Sequence, residues 1–284
     1  MDGLLIVDKP AGVTSHDVVD QVRRRLGTRK VGHGGTLDPD ATGVLVLGVG
    51  RATRFLSYSQ ASPKRYEALV KLGTTTSTQD ASGDVIETRP IEAERSEVET
   101  ALKRFEGDIR QIPPMVSAVR VGGERLYEKA RRGEEVERKP RDVTIYAIAL
   151  TDFSSDDGTL ALDVRCSAGT YIRTIAHDLG QELGCGAHLA RLRRTEAGGW
   201  TLADAVPLDD VTEEALKPLT EVARDMKRVD VNEDTARLVR NGRPILVDQP
   251  LERDELAAIV SGDDFLGVYK KGAEQLHPER VVSS

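Results

Sequence analysis

Long hydrophobic runs are missing from this 284-residue sequence. Near the N-terminus the longest apolar run is residues 4–7, which are too few for a signal peptide or a membrane-spanning helix. Cysteine is also scarce, because Cys166 and Cys185 are the only two and they form no CxxC pair. The sequence therefore suggests no zinc site, and it predicts a protein of the reducing cytoplasm.

An excess of positive charge is lacking too. The formal net charge is −7 and the pI is about 5.4, which taken alone argues against a nucleic-acid partner. Acidic residues are concentrated in 91–99, 153–157 and much of 203–264. Basic residues form short clusters at positions 23–25, 29–30, 51 with 54, 64–65, 131–132, 138–141 and 191–194. This segregation fits a basic face on an acidic protein, and it fits separate solvated surface charges equally well.

A glycine-rich stretch at residues 32–45, GHGGTLDPDATGVL, is the most distinctive feature that the sequence has. It runs into an apolar segment rich in branched side chains, which predicts a loop followed by a buried strand. Gly34 and Gly35 allow positive φ or a close backbone approach, and Pro39 keeps Asp38 out of the helical region. Asp38 is then either the cap of a turn or a carboxylate aimed at a ligand.

Calcium binding by the same stretch is excluded. Asp38, Asp40, Thr42 and Gly43 match the first half of an EF-hand loop. That motif requires a bidentate glutamate at its twelfth position, where this chain has Val49. It also requires a helix where the apolar run predicts a strand.

Two other side chains stand out because each lies at the start of a predicted element. Residues 65–72 alternate in polarity, which predicts a half-buried strand that begins near Tyr66. The Tyr66 ring is either the first core aromatic or a group that enters a cleft. Residues 171–183 predict a helix whose first turn carries Arg173 off the apolar stripe. A cation there opposes the helix dipole, so Arg173 is either a solvated surface group or the partner of an anion.

The remaining pattern predicts the organisation of the chain. Helices are expected at 15–27, 92–106 and 208–225. Residues 110–141 open with two prolines, contain a short basic helix at 126–132 and are otherwise charged; they form either a mobile insertion that clamps a large ligand or an ordinary solvated loop. From about residue 228 the chain predicts a small β-rich domain, with short strands at 228–231, 241–245, 265–269 and 280–282.

Five blocks of sequence, in order along the chain, resemble the TruB family of tRNA pseudouridine synthases. They are residues 3–12 (GLLIVDKPAG) with Thr14 and Ser15, 32–45, 64–66 (KRY), 169–174 (GTYIRT) and 184–189 (GCGAHL). The resemblance implies an α+β fold, with a mixed, largely antiparallel sheet flanked by helices in a catalytic domain at 1–225. It also implies that 110–141 is a thumb-like, RNA-clamping insertion and that 228–284 is a PUA-like RNA-binding domain.

The resemblance implies a reaction as well, the isomerisation of uridine to pseudouridine at position 55 in the T arm of elongator tRNAs, without cofactor or metal. The target must be flipped out of the folded loop to be reached. Asp38 matches the catalytic nucleophile, and Arg173 matches the arginine that pairs with it. The other matches are Tyr66, which stacks on the target base and is a candidate for removing the C5 proton; Tyr171 and Leu192, which line the uridine pocket; His33, which enters the T loop; and Arg54, which stands where lysine is usual and retains a phosphate contact.

Two alternatives remain at this point. One is an RNA-binding or RNA-chaperone module without catalysis, which would not require Asp38 and Arg173 together. The other is a guide-RNA-dependent relative that acts on ribosomal RNA inside a multiprotein particle. The first motif begins at residue 3 and the tail is short, which favours a stand-alone tRNA enzyme. We therefore expect a cytoplasmic monomer with no obligate protein partner.

Overall fold

A computed structural model of the protein describes residues 1–115, 120–121, 124–125, 132 and 136–282. The strands that it describes are β1 (Gly3–Lys9), β2 (Val31–His33), β3 (Thr42–Val49), β4 (Lys64–Leu72), β5 (Thr74–Thr76), β6 (Val85–Thr88), β7 (Gly107–Gln111), β8 (Arg120–Val121), β9 (Glu124–Arg125), β10 (Arg141–Ser154), β11 (Thr159–Cys166), β12 (Ala187–Ala197), β13 (Trp200–Thr201), β14 (Val206–Pro207), β15 (Lys227–Asp230), β16 (Leu256–Ser261), β17 (Asp264–Lys271) and β18 (Leu276–Val281). The α-helices are α1 (Ser15–Arg25), α2 (Leu56–Ala61), α3 (Arg95–Leu102), α4 (Ile172–Glu182) and α5 (Glu233–Arg240). None of the helices within these ranges is both long and apolar enough to span a membrane.

The main sheet has ten strands in the order β14-β1-β3-β12-β4-β11-β10-β7, with β2 paired to β3 and β13 paired to β12. Strands β14 and β1 are parallel, as are β3 and β12, and the other pairs are antiparallel. The prediction of a mixed, largely antiparallel sheet flanked by helices is confirmed. The parallel contact between β3 and β12 is the one that brings the glycine-rich loop beside the end of β12.

Gly43 permits that contact. Its φ is +103°, and a Cβ placed on it would lie 2.1 Å from the carbonyl oxygen of Arg194. A side chain cannot occupy that space without moving a strand backbone, so glycine is required by close approach as well as by φ.

Local sequence explains where the two helices next to the site begin. Thr14 and Asp17 form a capping box at the start of α1, where the Thr14 hydroxyl accepts from the Asp17 N–H and the Asp17 carboxylate accepts from the Thr14 N–H. Helix α4 begins directly after Tyr171, as the pattern predicts, and Gly184 ends it with a φ of +76°.

The C-terminal residues form a second sheet in the order β15-β16-β17-β18, with α5 packed against it. The predicted β-rich C-terminal region is confirmed, although two of its details are wrong. Residues 241–245 form no strand, since only Ile245 makes an isolated bridge, to Leu276. Helix α5 and strand β16 were not predicted.

The predicted helix at 208–225 is also wrong, because the segment makes three short 3-10 turns. Pro218 interrupts it, and its apolar side chains pack into different places. Leu208 and Val211 join the cluster under β1, whereas Val222 joins the cluster that holds the C-terminal sheet. Of the predicted basic helix at 126–132, residues 126–131 lie outside the described residues.

One hydrophobic cluster joins the two sheets. Side chains on β1 and β3, among them Ile6 and Val46, share it with Phe265 and Val268 on β17. Phe55 and Phe265 meet edge to face, with their ring centroids 5.1 Å apart. The C-terminal sheet is therefore packed into the core of the protein.

Candidate active site

Asp38 lies on the loop between β2 and β3, and a buried lysine holds the backbone of that loop. Lys9, at the end of β1, is fully buried, and its Nζ donates to the carbonyl oxygens of Pro39 at 2.8 Å and Ala41 at 2.7 Å. Burial lowers the pKa of Lys9 to about 8, while the charges of Asp40 and Asp38 oppose that shift. The lysine therefore binds the backbone on both sides of the loop's turn.

Two further side chains hold the loop from other directions. The Ser15 hydroxyl accepts from the N–H of Leu37 and donates to its carbonyl oxygen, at 2.9 and 3.1 Å. Arg194 of β12 is fully buried and donates to the carbonyl oxygens of Val44 at 2.7 Å and Gly35 at 3.3 Å. Polar groups buried in this way must be satisfied, so the loop has one well-defined conformation.

Asp38 faces Arg173. The guanidinium approaches both carboxylate oxygens, with Nε 3.1 Å from Oδ2 and Nη2 3.2 Å from Oδ1. The Arg173 side chain is 5% exposed, whereas that of Asp38 is 43% exposed. A buried cation is thus paired with a carboxylate that is open on one side, which is the geometry of a positioned reactive acid.

Asp80 completes this arrangement. Its Oδ2 lies 3.1 Å from Nη1 of Arg173, and its Oδ1 accepts from the hydroxyls of Thr78 and Ser82 at 2.6 Å each. The third guanidinium nitrogen is thereby occupied, and Arg173 is clamped between two carboxylates. Sequence reasoning missed Asp80, because nothing in its local sequence points to a partner 93 residues away.

The electrostatics of Asp38 differ from what the arginine alone would give. Burial raises the pKa of Asp38, and the Arg173 charge opposes the shift without cancelling it. The nearby charge of Asp80 raises the pKa further. Desolvation therefore dominates, and it leaves a carboxylate that is less well solvated and more basic than a surface aspartate.

Tyr66 is a core residue at the edge of this site. It is 7% exposed and belongs to the same hydrophobic cluster as Leu37 and Ala41 of the loop that carries Asp38. Burial raises the pKa of its hydroxyl, a hydrogen bond and charge from Arg194 oppose this, and the Asp38 charge adds to it. Tyr66 therefore lies close enough to Asp38 to respond to its charge, and Arg194 links the tyrosine to the loop.

The other two residues matched to the uridine pocket lie on neighbouring elements. Tyr171 is half-buried and immediately precedes α4, two residues before Arg173. Leu192 on β12 is opposite Ala68 of β4, and it is partly buried against the cluster that contains Tyr66. The structure thus gathers Asp38, Arg173 and Tyr66 around one region, with Tyr171 and Leu192 on the elements that border it.

His33 and Arg54 line a separate groove with a volume of about 490 Å³. Its cationic side chains come from distant parts of the chain: Arg23, Arg29, Lys30, Arg54 and, from β18, Arg280. None of the described residues that line it is acidic. Arg280 also donates to the carbonyl oxygen of Arg54, which connects the C-terminal sheet to the wall of the groove.

The basic clusters of the sequence therefore divide into two kinds. Some cations pair locally with acids on the surface, such as Arg25 with Asp209 and Arg65 with Asp163. The cations of the groove converge on one surface, although one of them, Arg23, also pairs with Asp20. An acidic protein thus carries a local basic face, as one of the two interpretations of its charge pattern predicted.

Metal ligands are not gathered in the same way. No group of three or more histidine, cysteine, aspartate or glutamate side chains in the described residues is arranged to hold a metal ion. Cys166 and Cys185 are both free thiols in the core.

Comparison with known proteins gives the chain a family. Residues 23–172 match the profile of the TruB family pseudouridylate synthase (N terminal domain), and residues 173–229 match that of the tRNA pseudouridylate synthase B C-terminal domain. A tRNA pseudouridine synthase B from Streptococcus pneumoniae serotype 4 is 44% identical over 295 residues, covering 100% of both chains. One from Thermobifida fusca is 49% identical over 255 residues, covering 86% of each chain.

Solved structures agree with this. A chain in the crystal structure of a Cbf5-Nop10-Gar1 complex superposes with a TM-score of 0.77 and 26% identity, covering 99% of this chain and 84% of that one. A chain of an H/ACA RNP bound to a substrate RNA containing 2'-deoxyuridine gives a TM-score of 0.76 at 25% identity. With both profiles and full-length relatives in agreement, this protein belongs to the TruB family of pseudouridine synthases.

Proposed function

We propose that this protein isomerises uridine-55 to pseudouridine in the T loop of elongator tRNAs, and that Asp38 is its catalytic residue. As a member of the TruB family, with full-length relatives named tRNA pseudouridine synthase B, it is a tRNA pseudouridine synthase and an isomerase. The observation that carries the assignment of Asp38 is its half-open carboxylate, held by a buried bidentate arginine.

The reaction breaks the N1–C1′ bond, turns the uracil, and joins C5 to C1′, after which C5 loses a proton and N1 carries one. Atoms and electrons balance without a redox partner. Carboxylates serve as nucleophiles or stabilising anions in the cleavage of glycosidic bonds. Arg173 keeps the carboxylate of Asp38 oriented, and desolvation makes that carboxylate more reactive than it would be in water.

Tyr66 supports the base in this proposal. Its ring would stack on the flipped uracil, and its hydroxyl is a candidate for removing the C5 proton. Proton removal requires the phenolate, which burial disfavours by raising the Tyr66 pKa, and the Arg194 guanidinium partly opposes that effect. Tyr171 and Leu192 would complete the apolar walls of the uridine pocket.

RNA would reach this pocket along the basic groove. Phosphate contacts position a nucleic acid, and flipped bases and shape specify it. His33 is in the groove wall and five residues before Asp38, so it can enter the T loop while Arg54 contacts phosphate. Such a site requires the target and its neighbours to be flipped out.

The same proposal divides the chain by role. Residues 1–225 form the catalytic domain, 110–141 close over the T arm, and 228–284 form a PUA-like domain that binds RNA. The protein would act in the cytoplasm as a monomer, without a cofactor, a metal or an obligate protein partner. An RNA-chaperone activity can coexist with this catalysis.

The test is to incubate purified protein and T-arm RNA in buffer that contains a chelator and no other macromolecule, and to map pseudouridine. We expect one pseudouridine, at position 55, and none with Asp38→Asn, although that variant should still bind the RNA. Absence of product from the wild-type protein would refute the proposal. Product that appears only when a guide RNA or another protein is added would support the guide-dependent alternative.

A further inference from the structure

Gln111 makes two hydrogen bonds to the backbone of a single residue at the active site. It is the last residue of β7 and is 2% exposed. Its Oε1 accepts from the N–H of Tyr171 at 2.9 Å, and its Nε2 donates to the carbonyl oxygen of the same residue at 3.2 Å. The side-chain amide thus does for Tyr171 what a neighbouring strand would do in a sheet.

The residue held in this way is the one from which α4 begins. The Tyr171 carbonyl oxygen accepts from the N–H groups of Thr174 and Ile175, at 3.1 and 3.2 Å, so it forms the first turn of the helix. The side chain of Tyr171 makes no capping hydrogen bond within the described residues. Gln111 therefore supplies the turn with an anchor outside the helix.

That turn also carries Arg173. Any shift of the Tyr171 peptide moves the backbone of Arg173, and the guanidinium must meet Asp38 and Asp80 at once. Two carboxylates fix the far end of the arginine, and Gln111 fixes the near end. A group that pins the start of this helix therefore sets the direction from which Arg173 approaches Asp38.

Gln111 also lies at the base of the insertion. It is paired with Arg141 between β7 and β10, so residues 112–140 leave and return at adjacent positions of the sheet. Arg138 donates to the carbonyl oxygen of Pro113 at 3.1 Å, just outside that pair. The base of the insertion and the start of α4 are therefore joined through one buried side chain.

We propose that Gln111 is a positioning residue for pseudouridine formation, which keeps Arg173 aimed at Asp38 by holding the peptide of Tyr171. The proposal rests on the function given above. It gives Gln111 no contact with the RNA or with the reacting atoms. Its role is carried by the amide, which offers a donor and an acceptor together.

The sharpest variant is Gln111→Glu, because a carboxyl group has nearly the same shape as the amide. As a neutral acid it keeps both hydrogen bonds, since its O–H can donate to the Tyr171 carbonyl. As a carboxylate it can only accept hydrogen bonds. One of its oxygens then faces the carbonyl oxygen of Tyr171, and the two repel each other. Burial and that repulsion raise the pKa of the introduced carboxyl, so the change falls in an accessible pH range.

We expect Gln111→Glu to lose about ten- to a hundredfold in single-turnover rate at mildly alkaline pH, with little change in RNA affinity. Its rate divided by the wild-type rate should rise as the pH falls through the mildly acidic range. Gln111→Leu, which can form neither bond, should lose at least as much and show no such rise. Gln181→Glu, an exposed glutamine on the same helix, is the matched control and should follow the wild-type protein at every pH.

Circular dichroism at each pH shows that the compared proteins are folded, so that a loss of rate is not a loss of structure. A Gln111→Leu rate within twofold of wild type would overturn the proposal. A Gln111→Glu ratio that stays flat with pH would overturn it as well. If the wild-type protein itself makes no pseudouridine, it is the proposed function that fails, and the two failures are thereby distinguished.

Discussion

Replacing Arg173 by lysine tests the central pair of the site. The substitution keeps a positive charge near Asp38 but removes the planar fork. Arg173 uses Nε and Nη2 for Asp38 and Nη1 for Asp80, with separations of 3.1–3.2 Å. A lysine ammonium is a single point of charge and cannot span both carboxylates in this geometry.

The size of the effect follows from the bonds that are lost. A hydrogen bond to a charged group contributes about 1.5–3 kcal/mol, and burial of Arg173 at 5% exposure places this pair toward the upper part of that range. Lysine should retain one of the two contacts with Asp38 and lose the other. A loss of about 2–3 kcal/mol in the transition state corresponds to a fall of about 30- to 150-fold in rate.

The assay is single-turnover pseudouridine formation with T-arm RNA at a saturating protein concentration, so that the chemical step is measured apart from binding. Arg95→Lys is the matched control, because Arg95 is half exposed and pairs with Glu99 on the surface of α3, where such pairs contribute little. A rate for Arg173→Lys within twofold of wild type would show that the bidentate contact has no part in the reaction.

Four other predictions concern the loop and the groove. Asp38→Asn should abolish activity yet match or exceed the thermal stability of the wild-type protein. The raised pKa of Asp38 means that the folded state favours an uncharged group there, and asparagine is uncharged. A clear loss of stability by calorimetry would contradict this. For the same reason, activity should be lost as the pH falls through a pKa higher than that of a surface aspartate, as a pH–rate profile will show. Lys9→Met should lower the free energy of unfolding in urea by about 2–4 kcal/mol, because it leaves loop carbonyls without donors. Arg280→Ala should weaken RNA binding and reduce the slope of log affinity against log salt by about one, measured by filter binding, whereas the exposed Arg237→Ala on α5 should not.

The sequence predicted best those features that local chemistry decides. The loop that leads into β3 follows from two glycines, a proline and an apolar run, and the helix expected at 15–27 is present as α1 over Ser15–Arg25. The role of Arg173 was predicted in part, because a cation in the first turn of a helix is unfavourable unless an anion lies near it. Its partner is 135 residues away, and no periodicity indicates which carboxylate it will meet.

Features that depend on tertiary structure were not predicted. The segment after Pro207 has the spacing of a helix, but its side chains are divided between two clusters, so it crosses the core as separate turns. Helix α5 is only eight residues long and buries Ala236 and Val239, which gives too short a pattern to distinguish from a loop. Gln111 lay in the predicted insertion and Arg194 in a basic cluster, and neither was singled out, because only the fold brings backbone atoms within reach of them.

The hydrophobic cluster shared by the two sheets bears on which RNA substrates can fit the protein. Val46 of β3, the strand that follows the Asp38 loop, lies in one continuous core with Phe265 and Val268 of the C-terminal sheet. Packed interiors resist deformation, so the C-terminal sheet that carries Arg280 and the strand that follows the Asp38 loop are held in one rigid body. If Arg280 binds a phosphate and Asp38 acts on the nucleoside, as proposed, the distance between those two points is set by the protein. A tRNA arm would be accepted or refused by whether its own dimensions match that length.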